Sequence, residues 1–169
     1  MQDTKWARII FPLLFCILAS SCSQKTFYLF FPPKDYYKPI TKGIIDVSKD
    51  NASYTFAFIN KYEGHYSMGI ACSKINKEIP FRMVKIGFEA DIKIFQNGKV
   101  IFTRHVTEAT PYWFGYNKIG GYHFFLYDSP SDLPRNIPLA CTIEITKGDP
   151  SFKQMYGETE FFISKYSDE

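Results

Sequence analysis

Apolar and polar residues alternate one for one along several stretches of the chain. The longest such stretch is VKIGFEADIKI, residues 84 to 94. Its apolar members fall on one side of an extended chain: Val84, Ile86, Phe88, Ala90, Ile92 and Ile94. A period of two over this length predicts a half-buried antiparallel strand. Asn97-Gly98 follows, which is a strong hairpin signal, and KVIFTRHVT is predicted to return as the partner strand.

The same alternation recurs elsewhere in the chain. It is seen in ASYTFAFIN, HYSMGIACS, LACTIEIT, the second half of the segment 110–128, and EFFISKY near the end. No stretch shows helical periodicity over ten residues. About seven to nine short strands with turn residues between them predict an all-β fold, an antiparallel β-sandwich that is immunoglobulin-like in general layout only. A closed β-barrel is the alternative.

The first 21 residues have the layout of an export signal. Lys5 and Arg8 form a short positive region, Ile9 to Ala19 is almost entirely apolar, and small residues follow. This order is typical of a secretory signal peptide. The apolar run of about 11 residues is too short for the ~20 that a membrane-spanning helix needs.

Cys22 follows these small residues directly, in the stretch LASSCSQ. Leu18, Ala19, Ser20, Ser21 and Cys22 together resemble the lipobox of bacterial lipoproteins. The resemblance implies that Cys22 is the lipid attachment site and that residues 1–21 are removed. Residues 22–26 would then form the acylated Cys and a short tether, and residues 27–169 a single β-sandwich domain. In such lipoproteins Ser23 after the Cys implies the outer membrane, facing the periplasm.

Charge and composition narrow the classes of partner. Removal of Lys5, Arg8 and Asp3 with the signal would change the formal net charge from +3 to +2. This near-neutral charge, without a long Lys/Arg cluster, excludes nucleic acid as an expected partner. Aromatic residues make up 18% of the chain, which favours strands over helices.

Two further cysteines, Cys72 and Cys141, fall on the apolar faces of their predicted strands. Outside the cytoplasm such a pair can oxidise, so a disulfide between them is predicted. The alternative is two separate buried thiols that behave as small apolar side chains. Neither has the spacing of a redox or zinc motif.

The sequence offers little evidence of catalysis. The three histidines are scattered without metal-ligand spacing, and no nucleophile motif is present, so neither a metal site, a cofactor nor an enzyme is predicted. Glu89 and Asp91 resemble an acid pair, but they fall on the polar face of a predicted strand. They are interpreted as solvated charges.

The segment TPYWFGYNKIGGYHFFLYD, residues 110–128, is unusually aromatic. Tyr112, Trp113, Phe114 and Tyr116 surround Gly115 and are predicted to lie on an irregular loop. Aromatic side chains on a loop are common in binding hot spots and in sugar-stacking surfaces. A hydrophobic loop folded over the open end of the sandwich would give the same pattern.

Together these features predict a lipid-anchored envelope protein with a non-catalytic binding role. The expected partners are the membrane, through the anchor, and a protein of unknown identity. The expected role is protein-binding or inhibitory, for example immunity-like or as an assembly accessory. The alternative is a glycan-binding envelope module that uses the aromatic segment 112–116.

Overall fold

The computed structural model describes residues 28, 31–74, 84–114 and 119–166, and for Val84, Trp113, Phe114 and Ile119 it describes the backbone only. The described residues fall into two units, one up to Tyr36 and one from Tyr37 onward. In the first unit the rings of Tyr28 and Tyr36 lie 5.6 Å apart. The backbone N–H of Tyr36 donates to the carbonyl of Pro33 over 2.9 Å.

The second unit is an antiparallel β structure. Its described strands are β1 (Pro39–Ile45), β2 (Ala52–Phe58), β3 (Gly64–Cys72), β4 (Val84–Gln96), β5 (Lys99–Phe114), β6 (Ile119–Ser129), β7 (Leu139–Lys147) and β8 (Thr159–Lys165). They form one sheet in the order β1-β8-β3-β6-β5-β4-β7-β2. The predicted all-β class and strand number are confirmed, although β1 was not predicted from the pattern.

The sheet folds back on itself around one core, so the barrel-like alternative describes it better than two separate sheets. Strand β5 joins the two halves of the sheet, because it pairs with β4 up to Ala109 and with β6 from Thr110 onward. The terminal strands β1 and β2 approach each other at the opposite side, where the ring of Phe56 on β2 lies against Gly43 of β1. The same ring lies 5.0 Å from that of Phe161 on β8, the neighbour of β1. The result is a nearly closed barrel.

The core follows the alternation read from the sequence. The buried rows include Tyr66, Met68, Ile70 and Cys72 on β3, Ile86, Phe88, Ala90, Ile92 and Ile94 on β4, and Leu139, Cys141, Ile143 and Ile145 on β7. Burial of an apolar side chain of this size contributes about 1.5–3 kcal/mol, so these rows are the main source of stability.

The hairpin predicted at Asn97-Gly98 is confirmed. It joins β4 to β5, and both turn residues have positive φ, 50° for Asn97 and 77° for Gly98. The turn that best matches the twist of paired strands requires positive φ at both positions, which Asn and Gly adopt most easily.

A short helix, α1 (Pro150–Tyr156), was not predicted because it is too short to show periodicity. Its end signals are nevertheless in the sequence. Asp149 is the N-cap and accepts a hydrogen bond from the Ser151 N–H, Pro150 opens the helix, and Gly157 closes it. Phe152 is the buried residue of this helix and fixes it to the barrel.

Among the described residues, no helix has the length and apolar character needed to cross a membrane.

Candidate binding site between strands β5 and β6

Strands β5 and β6 are neighbours over only part of their lengths. They pair from Thr110↔His123 to Phe114↔Ile119. Beyond that point no ladder joins residues 99–109 of β5 to residues 124–129 of β6. Residues 99–109 pair with β4 and residues 124–129 pair with β3, so β5 and β6 diverge from each other. We call the space between these two ranges the β5–β6 cleft.

Apolar side chains border this cleft on both strands. Val100 and Ile101 on β5 are 52% and 39% exposed, and Leu126 on β6 is 50% exposed. The rings of Phe102 and Phe125 stack across the cleft with centroids 5.2 Å apart. The cleft therefore combines two strand edges without a mutual partner and an apolar lining.

A cavity of about 370 Å³ opens into this region. It is lined by Arg104, Thr110, His123, Phe124, Phe125, Leu126 and Tyr166. A second cavity of about 390 Å³ borders Ile44, Cys72 and Glu160. Of these two cavities, only the first is lined by a residue with a buried side-chain atom that lacks a hydrogen-bond partner within the described structure: His123, through its Nε2.

A β-bulge sets the position of His123. Met68 on β3 opposes Phe125, whereas the next residue, Gly69, already opposes His123, so one extra residue of β6 is accommodated. Bulges redirect side chains locally. A Cβ atom on Gly69 would overlap the carbonyl oxygen of Tyr122, which explains why glycine occupies this position.

His123 is 8% exposed, and burial lowers its pKa to about 4, so the ring is neutral at pH 7. Its Nδ1 hydrogen-bonds to the hydroxyl of Ser67, which is fully buried. Either atom of this pair could be the donor, and we assign the Ser67 hydroxyl as the donor and Nδ1 as the acceptor. The ring hydrogen is accordingly assigned to Nε2, making this atom a buried N–H donor without a described acceptor.

Other polar groups surround this donor. The rings of Tyr112 and Tyr166 lie 3.8 Å and 5.7 Å from the His123 ring. Burial raises the pKa of Tyr112, and the nearby Tyr166 raises it further. Arg104 is exposed on β5, and within the described chain no acidic side chain forms an ion pair with it. The cavity thus holds one cation and one neutral N–H donor.

The aromatic segment is a strand and not the predicted loop. Tyr112, Trp113 and Phe114 end β5 and pair with Gly121, Gly120 and Ile119 on β6. The loop prediction is wrong because it was based on the irregular aromatic run around Gly115, whereas the pairing of β5 with β6 continues to Phe114. Gly120 and Gly121 lie within β6. A Cβ atom on Gly121 would overlap the carbonyl of Ile70, so glycine permits close approach of the strands. Tyr116 lies outside the described residues.

The disulfide prediction is also corrected: Cys72 and Cys141 are both free and buried. Their strands, β3 and β7, are four positions apart in the sheet. Cys72 lies near Tyr122 and Cys141 near Tyr127, which are five residues apart on β6, about 17 Å along a strand. Burial raises the pKa of both thiols to about 12, which keeps them protonated and unreactive.

The other residues considered in the sequence analysis are Cys22, Glu89, Asp91 and the potential metal ligands. Cys22, predicted to carry the lipid, lies outside the described residues. Glu89 and Asp91 make surface contacts: His105 Nδ1 is 2.7 Å from Asp91 Oδ1, a hydrogen-bond distance, and Lys147 Nζ forms an ion pair with Glu89 Oε1 at 3.3 Å. No group of three or more His, Cys, Asp or Glu side chains in the described ranges is arranged to hold a metal ion.

Sequence reasoning missed the β5–β6 cleft itself. Arg104 and His123 carry no spacing signal, because they are 19 residues apart and meet only through the β5–β6 pairing. The length of β5, 16 residues, is the one available hint. A strand this long commonly extends beyond a single neighbour, since typical strands have about five or six residues.

No protein-family model and no curated protein sequence matches this chain. Among solved structures, the chain is similar to the crystal structure of GEBA250068378 from Sulfurospirillum deleyianum. The two share 10% sequence identity and a TM-score of 0.55 over 75% of this chain and 97% of that one. At this identity the likeness concerns the fold alone.

Proposed function

We propose that this protein is a lipid-anchored envelope protein whose barrel binds a partner protein without catalysis. The observation that carries the binding proposal is the β5–β6 cleft, where two strand edges diverge beside exposed apolar side chains. The sequence resemblance at residues 18–22 carries the proposal of a lipid anchor at Cys22. Ser23 supports the outer membrane, facing the periplasm, as the location.

An extended segment of a partner is the occupant that matches the cleft. Unpaired N–H and C=O groups on a strand edge form hydrogen bonds with an added strand, and alternate side chains of that strand enter pockets beside it. The apolar surface of Val100, Ile101 and Leu126 would be covered by the same segment. A role in inhibition, immunity or assembly would each use such a contact.

The Ser67–His123 pair favours binding over hydrolysis. Ser67 is fully buried and its hydroxyl bonds to Nδ1 of His123. A nucleophilic serine must reach the substrate, and the histidine that activates it must then pass the proton on. Ser67 lies beneath the surface and does not line the cavity, so the pair is better suited to fixing the strand geometry.

The glycan alternative receives less support. It depends on aromatic faces presented on an open loop, whereas Tyr112 packs between the rings of His123 and Phe162, at 3.8 Å and 6.5 Å. We therefore place the binding site in the β5–β6 cleft.

Replacement of Cys22 by alanine should abolish acylation and leave an uncleaved precursor. The reason is chemical, because the thioether can form only on the Cys22 thiol. Metabolic labelling with palmitate followed by membrane fractionation measures this, with Cys72→Ala as the control that keeps the label. A Cys22→Ala protein that still incorporates palmitate would refute the lipid anchor, and recovery of the natural protein only in the inner membrane would refute the outer-membrane location.

Photo-crosslinkers placed on both sides of the cleft should capture the same partner segment. We would introduce p-benzoylphenylalanine at Leu126 of β6 or at Ile101 of β5 in the native cell. An inserted strand contacts both edges, so mass spectrometry should identify one peptide of one protein in both adducts.

Ile59 provides the matched control, because it is 41% exposed, like Ile101, but lies outside the cleft after β2. Adducts at positions 126 and 101 that share no partner peptide would contradict insertion of a strand. An identical adduct at position 59 would indicate nonspecific contact and contradict it equally.

A further inference from the structure

We propose that the cavity beside the cleft is a carboxylate subsite, which binds an acidic side chain of the inserted segment through Arg104 and His123. This inference rests on the proposed function and adds the chemistry of the residue recognised.

The first support is the unpartnered N–H of His123. The side chain is more than nine-tenths buried, it lines the cavity, and no described group accepts from Nε2. Leaving a buried donor without an acceptor is costly, and native proteins rarely do so without a reason. Nε2 itself is covered in this conformation, so a ligand oxygen in the cavity would supply the missing acceptor once the side chains over the ring move aside.

The second support is the charge of Arg104. It is the cation that lines the cavity, and no ion pair joins it to a described acidic side chain. A guanidinium presents parallel N–H groups that match the two oxygens of a carboxylate, and such charge-assisted bonds are stronger than neutral ones. One Arg together with one neutral N–H matches a single negative charge.

The third support is the shape and lining of the cavity. A volume of about 370 Å³ lies at the small end of the range for ligand sites. Phe124, Phe125 and Leu126 are the apolar residues of its lining, and Thr110 and Tyr166 are polar residues in it. An acidic residue next to an apolar one on an extended segment has this combination of features.

The experiment uses the full chain in phosphatidylcholine nanodiscs, with ¹⁵N-labelled histidine, and phenylacetate as the probe at pH 7.5. We expect phenylacetate to shift the His123 Nε2–H resonance with millimolar affinity. Phenylacetamide, which has the same size but no charge, should bind at least tenfold more weakly. Phenyl phosphate should also bind more weakly, because the site offers only one cationic group.

Arg104→Met should weaken phenylacetate binding at least tenfold and leave phenylacetamide binding unchanged. Lys42→Met is the control, because Lys42 is an exposed cation on β1 that pairs with Glu160 away from the cleft. It should leave the affinity for phenylacetate unchanged. The histidine spectrum of each variant reports whether the barrel remains folded.

Several results would overturn the subsite: no shift at 50 mM phenylacetate, equal binding of phenylacetamide, tighter binding of phenyl phosphate, or no effect of Arg104→Met. If the crosslinks at positions 101 and 126 persist in that case, strand insertion stands and the carboxylate subsite alone is refuted. If phenylacetate binds as expected but the crosslinks fail, the subsite stands and strand insertion is refuted.

Discussion

Replacing Phe88 by alanine should lower the free energy of unfolding by about 4 kcal/mol. Phe88 is fully buried on β4, and its ring meets those of Phe124 and Phe152 edge to face, with centroids 6.1 Å and 5.1 Å apart. Truncation would remove the transfer free energy of the ring and leave a cavity that the rigid strands cannot close. It would also remove a surface on which Phe152 of α1 packs.

Urea denaturation of the purified protein measures this loss, and the melting temperature should fall by about 8–16 °C for a domain of this size. Met155→Ala in α1 is the control, because Met155 is 63% exposed and its truncation should change the free energy by less than about 0.5 kcal/mol. A loss below about 1.5 kcal/mol for Phe88→Ala would show that α1 and the ring contacts of Phe88 with Phe124 and Phe152 are not part of the cooperative core.

The strands were predictable because their signal is local. A half-buried strand requires alternating apolar side chains, and the row of β4 from Ile86 to Ile94 meets this requirement within its own sequence. The turn at Asn97-Gly98 is equally local, since its positive φ values depend on the turn residues themselves. Each element was thus encoded without reference to the rest of the chain.

The arrangement of the strands was not predictable in the same way, because it depends on pairings between distant segments. Alternation correctly placed Cys72 and Cys141 on inward faces. It contains no information on where each residue lies along the barrel axis or on which strands separate them. The disulfide was predicted from inward orientation and an expected oxidising compartment, and the separation of β3 from β7 in the sheet contradicts it.

The candidate site was hidden for the same reason. Gly120-Gly121 has the composition of a turn, but here the missing side chains allow β6 to approach β3 closely. The aromatic residues before it were assigned to a loop because they surround Gly115 without strand alternation. Arg104 lies in a stretch that pairs with β4, and only the transfer of β5 to β6 at Thr110 brings it to the same cavity as His123.

Acidification from pH 7 to pH 4 should lower the free energy of unfolding by about 3 kcal/mol through His123 alone. Burial lowers the pKa of this imidazole from 6.5 to about 4 in the folded protein. Between these values the unfolded chain binds one proton more than the folded chain, so stability increases with pH across this window. The stability is fully present above pH 6.5 and is lost as the pH falls to about 4.

Carboxylates with lowered pKa values affect stability at a lower pH than His123 does, so the two contributions to the pH dependence can be distinguished. Hydrogen bonds from Ser48 and the neighbouring Lys153 hold the pKa of Asp46 at about 2, below its ordinary value of 3.8. The stability that Asp46 contributes is present above pH 3.8 and is lost only as the pH falls toward 2. A decrease in stability between pH 6.5 and pH 4 therefore does not come from Asp46.

Urea denaturation at a series of pH values should show this slope in the natural protein and a flat profile between pH 6.5 and pH 4 in His123→Gln. Glutamine does not titrate, and its amide can still hydrogen-bond to Ser67. His105→Gln is the matched control, because His105 is exposed beside Asp91 and its replacement should leave the slope from His123 in place. The same slope in His123→Gln as in the natural protein would mean that the imidazole is hydrated in the folded state, and the cavity would then not contain a buried, unpartnered N–H donor.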